Sequence, residues 1–226
     1  MTSSSVNTKN GLSSSRDYSI CCYCHNPATT KDHVPPKNIF PRPRPTNLIT
    51  VPSCKTCNED PSLDDEYFGL IIAAGSAGHP QASELFRGKV KKKTKSHPAL
   101  AKLLLDNISK KDIYSGNIYI GTQYELKIEG KRFNPIMIRI TKGLYWYHFR
   151  KPLPVNHKIK VSKVSPEISL TQKDMINTLD NYSIGDDVFQ YRFYRDPNNP
   201  LLTYWFFLFF KSLFVMTTSD LKLFDD

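Results

Sequence analysis

The chain has 226 residues, of which 39% are hydrophobic, 12% aromatic and 23% charged, enough for one sizeable domain or two small ones with a buried core. Collagen-like repeats, disulfide mini-proteins and short peptides are thereby excluded. Thirty-one Lys and Arg against 21 Asp and Glu give a net charge of +10, and seven of the basic residues lie between Arg87 and Lys102 with no acid among them.

Clustered cations gain affinity for polyanions by displacing counterions from phosphate, although a solvated helix face explains the same cluster. Residues 1–17 are rich in Ser, Asn and Thr, which predicts a flexible arm. No positively charged segment precedes an apolar stretch there, so no secretory signal is read. The expected location is cytoplasmic, and the cysteines are judged as intracellular thiols.

From Tyr18 to Asn58 the sequence is dominated by Cys, Pro, Asn and Thr, a loop-rich composition that needs a staple. Ser62 and Asp65 form a capping-box-like start for a helix through Tyr67, Phe68, Leu70, Ile71 and Ile72 to about Gly75. A second helical segment, residues 81–107 with an interruption at His97-Pro98, carries the basic cluster first and Leu100, Leu103, Leu104 and Leu105 last. Beyond Asp112 the runs 118–120, 124–128, 135–140, 158–164 and 188–194 read as strands, while 144–149 suits strand or helix. Residues 201–210 form an apolar run too short to span a membrane. They read as a buried strand partnered by 213–217.

Four of the five cysteines form two identical pairs, Cys21-x-x-Cys24 and Cys54-x-x-Cys57. A two-residue spacer lets one turn aim both sulfurs at one ion, so two such pairs are the pattern of a structural zinc site. Cys22 is left over. It is either a small buried hydrophobe or a replacement for Cys21 that pairs with His25 at the same spacing.

The 29 residues between Cys24 and Cys54 contain Asp32-His33 and Asn47, and Asn58 follows the last cysteine. In this order, framed by both cysteine pairs, residues 18–68 resemble the HNH endonucleases. The resemblance implies a zinc-stapled ββα-metal unit (18–75); with the basic helical segment (76–110) and the antiparallel β-rich unit (111–226) read from the apolar patterns, the expected fold is α+β. The resemblance implies DNA phosphodiester hydrolysis with His33 as general base, Asn47 orienting it, and Asp32 and Asn58 holding one magnesium or manganese ion. It also points to prokaryotic restriction, phage-defence or mobile-element settings.

The chemistry of the residue types agrees. An imidazole with pKa near 6.5 can deprotonate water at neutral pH, and an Asp with an Asn carbonyl suits a hard divalent cation. On a regular strand, however, Asp32 and His33 point to opposite faces, so the backbone must bend or the ion must sit at the strand edge. Many relatives carry a basic residue soon after the final Asn or His, whereas Glu59-Asp60 follows here. Phosphate contacts are therefore assigned to Arg42, Arg44, Arg87, Lys89, Lys91, Lys92, Lys93 and Lys95.

A non-catalytic zinc knuckle that binds nucleic acid or protein, and an RNA-cutting toxin on the same scaffold, are the alternatives. The aromatics of the β-rich half (Tyr145, Trp146, Tyr147, Phe149, Tyr191, Phe193) read first as core. Base stacking among Arg139, Arg150, Arg192 and Arg195, or a protein-partner or self-association surface, are further readings.

Overall fold

A computed structural model of the chain describes residues 18–59, 62–76, 78–96, 102, 106–163 and 170–219. The N-terminal arm, the interruption at His97-Pro98, the leucines at 100 and 103–105, and the side chains of Lys91, Lys92, Lys93 and Lys95 lie outside this description.

The first unit is a hairpin of β1 (Thr30–Val34) and β2 (Ile49–Ser53), which pair antiparallel in unbroken register from Thr30 opposite Ser53 to Val34 opposite Ile49. A 3-10 turn (Lys37–Ile39) lies in the connection, and α1 (Lys55–Glu59) follows β2 directly. Helices α2 (Ser62–Gly75) and α3 (Pro80–Ser96) pack on each other. The start predicted at Ser62 is where α2 begins.

A two-stranded arm comes next, β3 (Ile108–Ser115) and β4 (Ile118–Leu126), turning at Gly116, whose φ of +60° is readily adopted by glycine. The two short β runs expected at 118–120 and 124–128 belong largely to the single strand β4. Helix α4 (Gly130–Phe149) then corrects a larger expectation. The run 135–140 is helical, because the alternating Ile136, Ile138 and Ile140 that imitate a strand are part of a longer series. Phe133, Ile136, Met137, Ile140 and Leu144 are all buried at spacings of three and four. The ambiguous segment 144–149 is the end of the same helix, closed by Arg150 in a left-handed conformation (φ 56°) whose N–H reaches the Trp146 carbonyl at 2.8 Å.

The described residues beyond α4 form a five-stranded antiparallel sheet in the order β5-β9-β8-β7-β6, built from β5 (Ile159–Lys163), β6 (Tyr182–Ile184), β7 (Phe189–Arg195), β8 (Thr203–Phe209) and β9 (Leu213–Ser219). Helix α5 (Leu170–Asn177) lies between β5 and β6 in the chain. Phe189, Tyr191, Trp205, Phe207, Phe209 and Val215 are buried. The segment 111–226 is therefore not only β-rich, since its 20-residue helix contributes much of the core.

Helix α4 is the hub. It contacts β1, β2, β5, β9 and α2. Thr141 and Thr217 hydroxyls meet at 2.7 Å, and Phe68 of α2 packs on Phe133 (5.3 Å) and on Phe209 of the sheet (5.7 Å). One buried cluster thus runs from Cys21 to Val215.

Gly143 marks where α4 approaches the hairpin most tightly. A Cβ there would lie 2.6 Å from Val34 Cγ2 and 3.4 Å from the Tyr23 hydroxyl. Gly143→Ala gains helix propensity of about 1 kcal/mol but over-packs this contact, which costs about 1–3 kcal/mol. A lower urea midpoint is expected for Gly143→Ala, and Val34→Ala introduced beside it should recover part of the loss.

Candidate metal centre and hairpin site

The thiols of Cys21, Cys24, Cys54 and Cys57 all lie within 4.8 Å of one another, with Cys24 Sγ and Cys54 Sγ at 3.6 Å. Zinc–sulfur bonds of about 2.3 Å put the edge of a ZnS4 tetrahedron at roughly 3.8 Å, so four thiols in this arrangement fit a metal such as zinc.

The local chain explains the convergence. The Cys21–Cys24 turn is closed by the Cys21 N–H on the Asn26 carbonyl (2.7 Å) and the His25 N–H on the Cys21 carbonyl (3.0 Å), with His25 at a φ of 64°. Cys54 follows β2, and Cys57 lies three residues on in α1, its N–H donating to Cys54 Sγ at 3.4 Å. The Cys22 N–H binds the Pro52 carbonyl at 3.0 Å and ties the turn to β2. Burial raises the Cys21 thiol, but backbone N–H groups of Cys54, Cys24 and Tyr23 outweigh it and bring it down to about 7, which favours the thiolate a metal needs.

Cys22 is fully buried, and burial followed by the charge of Cys21 pushes its thiol far above the ordinary range. His25 Nε2 meets the Leu153 carbonyl at 2.9 Å. The four-thiol cluster therefore contains Cys21 and not the Cys22–His25 pair.

The hairpin divides its side chains between two faces. Asp32, 6% exposed, turns inward and is fully engaged. Its Oδ2 accepts from Arg139 Nη2 (2.7 Å) and the Tyr23 hydroxyl (2.8 Å), and its Oδ1 accepts from the His33 N–H (2.8 Å). Arg139, on α4, also reaches Asp65 of α2 at 3.2 Å. Burial works against its charge, but Asp32 and Asp65 overcome that effect and hold the guanidinium protonated. Burial pushes the Asp65 carboxyl up to about 6 even though Arg139 opposes it.

His33 lies on the other face and is partly exposed. Burial, followed by the charge of Lys37, lowers its pKa, with Arg44 adding to this and Asp32 opposing it.

Asn58 donates its Nδ2 to Thr30 Oγ1 (3.1 Å) and the Lys31 carbonyl (3.4 Å), leaving its Oδ1 as an acceptor beside β1. The exposed Asn47 donates to the Ser183 carbonyl of β6 at 3.1 Å, so its amide ties the proline-rich loop to the large sheet instead of bonding to His33. The unbroken register also removes the backbone bend that would turn Asp32 and His33 to one side. Arg42, Arg44 and Lys89 line one cavity, and Arg87 is exposed on α3.

No family model matches the chain, and no curated protein or solved structure matches it either.

Tyr23, Asn38 and Asp65 carry no sequence signal of the site, and Arg139 reads from the sequence only as a possible stacking residue. The available signal for Arg139 was a lone arginine between buried positions 137, 140 and 141 of a helix. Of the other arginines of that group, Arg150 lies over the Trp146 and Tyr147 rings at 5.4 and 5.1 Å. Arg192 caps the carbonyls of Ile176, Asn177 and Leu179, and Arg195 stacks over Phe149 at 4.2 Å. The histidines outside the motif serve packing where their contacts are seen. His148, lowered to about 4 by burial and then Arg150, meets the Tyr191 hydroxyl at 2.9 Å, and His157 meets the Leu201 carbonyl at 3.1 Å.

The purified protein should contain one zinc per chain. Cys24→Ser or strong chelation should remove it and raise hydrogen exchange across residues 18–59, because metal affinity is folding free energy for such a segment. The Asp65 carboxyl supplies a pH signature. Its folded value of about 6 stands above the ordinary 3.8, so the folded state binds the proton more tightly. Its contribution to stability is full below about pH 4 and lost as pH rises through 6. Urea denaturation across this range should show a smaller decline for Asp65→Asn than for the unmodified chain.

Proposed function

We propose that the protein is a metal-dependent HNH-type endonuclease that hydrolyses DNA phosphodiester bonds with His33 as general base. The observation that carries this reading is a partly exposed His33 on the face of β1 opposite Asp32, in a hairpin whose two ends converge on four thiols, with the charges of Lys37 and Arg44 acting on it.

In the proposed reaction the His33 imidazole accepts a proton from water, and the water oxygen forms a bond to phosphorus as the bond to the 3′ oxygen breaks. The departing oxygen takes a proton from solvent, and 5′-phosphate and 3′-hydroxyl ends result. Lys37 and Arg44 attract the backbone electrostatically. A magnesium or manganese ion, when bound, would supply charge neutralisation for the phosphate and leaving oxygen. Of the two residues expected to hold it, Asn58 would offer its Oδ1, its amide nitrogen being spent on the Lys31 carbonyl and on Thr30, which shares the strand face of Asp32.

One observation favours a second reading, a non-catalytic zinc module that binds nucleic acid. The carboxylate of Asp32, the other expected ion ligand, is committed to Arg139, Tyr23 and the His33 N–H.

Incubation of plasmid DNA with and without magnesium or manganese separates the two readings. The nuclease reading expects metal-dependent cleavage that His33→Ala reduces by about 10²–10⁴-fold, with zinc content and melting temperature unchanged. Full cleavage by His33→Ala would remove the base assignment. Binding without cleavage under every metal, for DNA and RNA alike, would establish the second reading.

A further inference from the structure

The β3–β4 arm joins the body at its base, where the Lys127 N–H donates to the Asn107 carbonyl at 2.8 Å and Leu126 Cδ2 lies 3.8 Å from the place of a Cβ on Gly75. Its far end turns apolar side chains to the solvent. Tyr114, Ile118, Tyr119 and Ile120 are 58, 71, 54 and 61% exposed. Tyr114 and Tyr119 stand opposite each other in register, their rings edge to face at 5.7 Å, so they share one face of the ribbon. Ile118, next to Tyr119 in the strand, belongs to the other face, and Ile120 is the residue that the bulge beside Ile113 and Tyr114 leaves over on β4.

A two-stranded ribbon alone is marginal in water, and large apolar side chains held in solvent on both of its faces gain from any cover that removes them from it. The charges decide which cover fits. Residues 113–124 contain none, in a chain that is 23% charged. The charged residues of the two strands, Lys110, Lys111, Asp112 and Glu125, cancel, with Lys110 against Asp112 and Lys111 against Glu125, each at 3.5 Å. The arm therefore offers no net positive charge to a phosphate backbone or to an anionic lipid surface. An uncharged tip is, by contrast, the place where two chains of net charge +10 meet with least repulsion.

We propose that the β3–β4 arm is a self-association device, in which the tips of two copies of this chain pack on each other through Tyr114, Ile118, Tyr119 and Ile120. At about 200 Å² for a large side chain the exposed fractions amount to roughly 500 Å² per tip, so two tips bury about 1,000 Å², the lower limit of a specific interface. The contact is a weak, isologous one, with a dissociation constant in the micromolar range. It uses no residue of the thiol cluster or of the β1–β2 hairpin, so it stands whether or not the nuclease reading does.

Sedimentation velocity of the full-length protein, freed of nucleic acid, tests this. Between about 1 and 200 µM the weight-average mass should rise from the 25.9 kDa of one chain toward twice that value. Raising sodium chloride from about 0.1 to 1 M should strengthen the association, because screening removes the repulsion between like-charged chains and leaves the apolar contact. The double variant Tyr114→Lys with Ile118→Lys changes two exposed side chains, so its melting temperature should hold, while its association should weaken by at least about tenfold through the charges it would bury. Without any variant, amide hydrogen exchange of residues 108–121 should be slower in the concentrated sample than in the dilute one.

A single-chain mass at every concentration, an association that dissolves in high salt, or one that the double variant leaves intact would each overturn the proposal. So would flotation of the unmodified chain with neutral phosphatidylcholine vesicles that the double variant loses, which would assign the tip to a lipid surface.

Discussion

The convergence of four thiols at the mouth of the β1–β2 hairpin is the constraint on which the candidate site depends. A two-stranded hairpin is marginal in water by itself, and the 29 residues joining Cys24 to Cys54 are polar and proline-rich. Joining the Cys21–Cys24 turn to the Cys54–Cys57 turn closes that loop through a metal-sized centre. It fixes the start of β1, the end of β2 and the start of α1 together. Asn58 is thereby held against β1, the strand that carries His33 25 residues earlier in the sequence.

A second interaction turns this closed loop toward the rest of the molecule. Asp32 faces inward to Arg139, and Arg139 bridges to Asp65, so β1, α2 and α4 meet at one buried guanidinium. Such a cluster adds little stability beyond what an apolar replacement would give, because both signs of charge are desolvated, but removing one partner leaves the others uncompensated. Its effect here is geometric. With Asp32 committed to the core face, strand alternation sends His33 outward, toward Lys37 and Arg44. The close contact of Gly143 with Val34 seals the same interface. The large sheet supports it from behind through α4, and Asn47 anchors the proline-rich loop to β6.

Much of this was legible from residues alone. The paired cysteines, the start of α2 at Ser62 and the strands β7, β8 and β9 follow from local spacing and apolar runs, which the structure repeats. Helix α4 was not legible because Ile136, Ile138 and Ile140 satisfy a period of two over the short window in which they were read. Only the wider series from Phe133 to Leu144 reveals the helix, and Pro135 reinforced the misreading. The roles of Asp32 and Arg139 were hidden for a different reason. Asp32 next to His33 carries the same local signal whether it faces a metal or a buried arginine, and its partner lies 107 residues away. The cavity lined by Arg42, Arg44 and Lys89 depends on three segments meeting, which no motif records.

The measurement that bears most directly on the central claim is zinc-edge X-ray absorption of the purified full-length protein. A metal held by Cys21, Cys24, Cys54 and Cys57 predicts a first shell of four sulfurs at about 2.3 Å and no nitrogen. A shell containing imidazole nitrogen, or a chain that folds and holds no metal, would contradict the account.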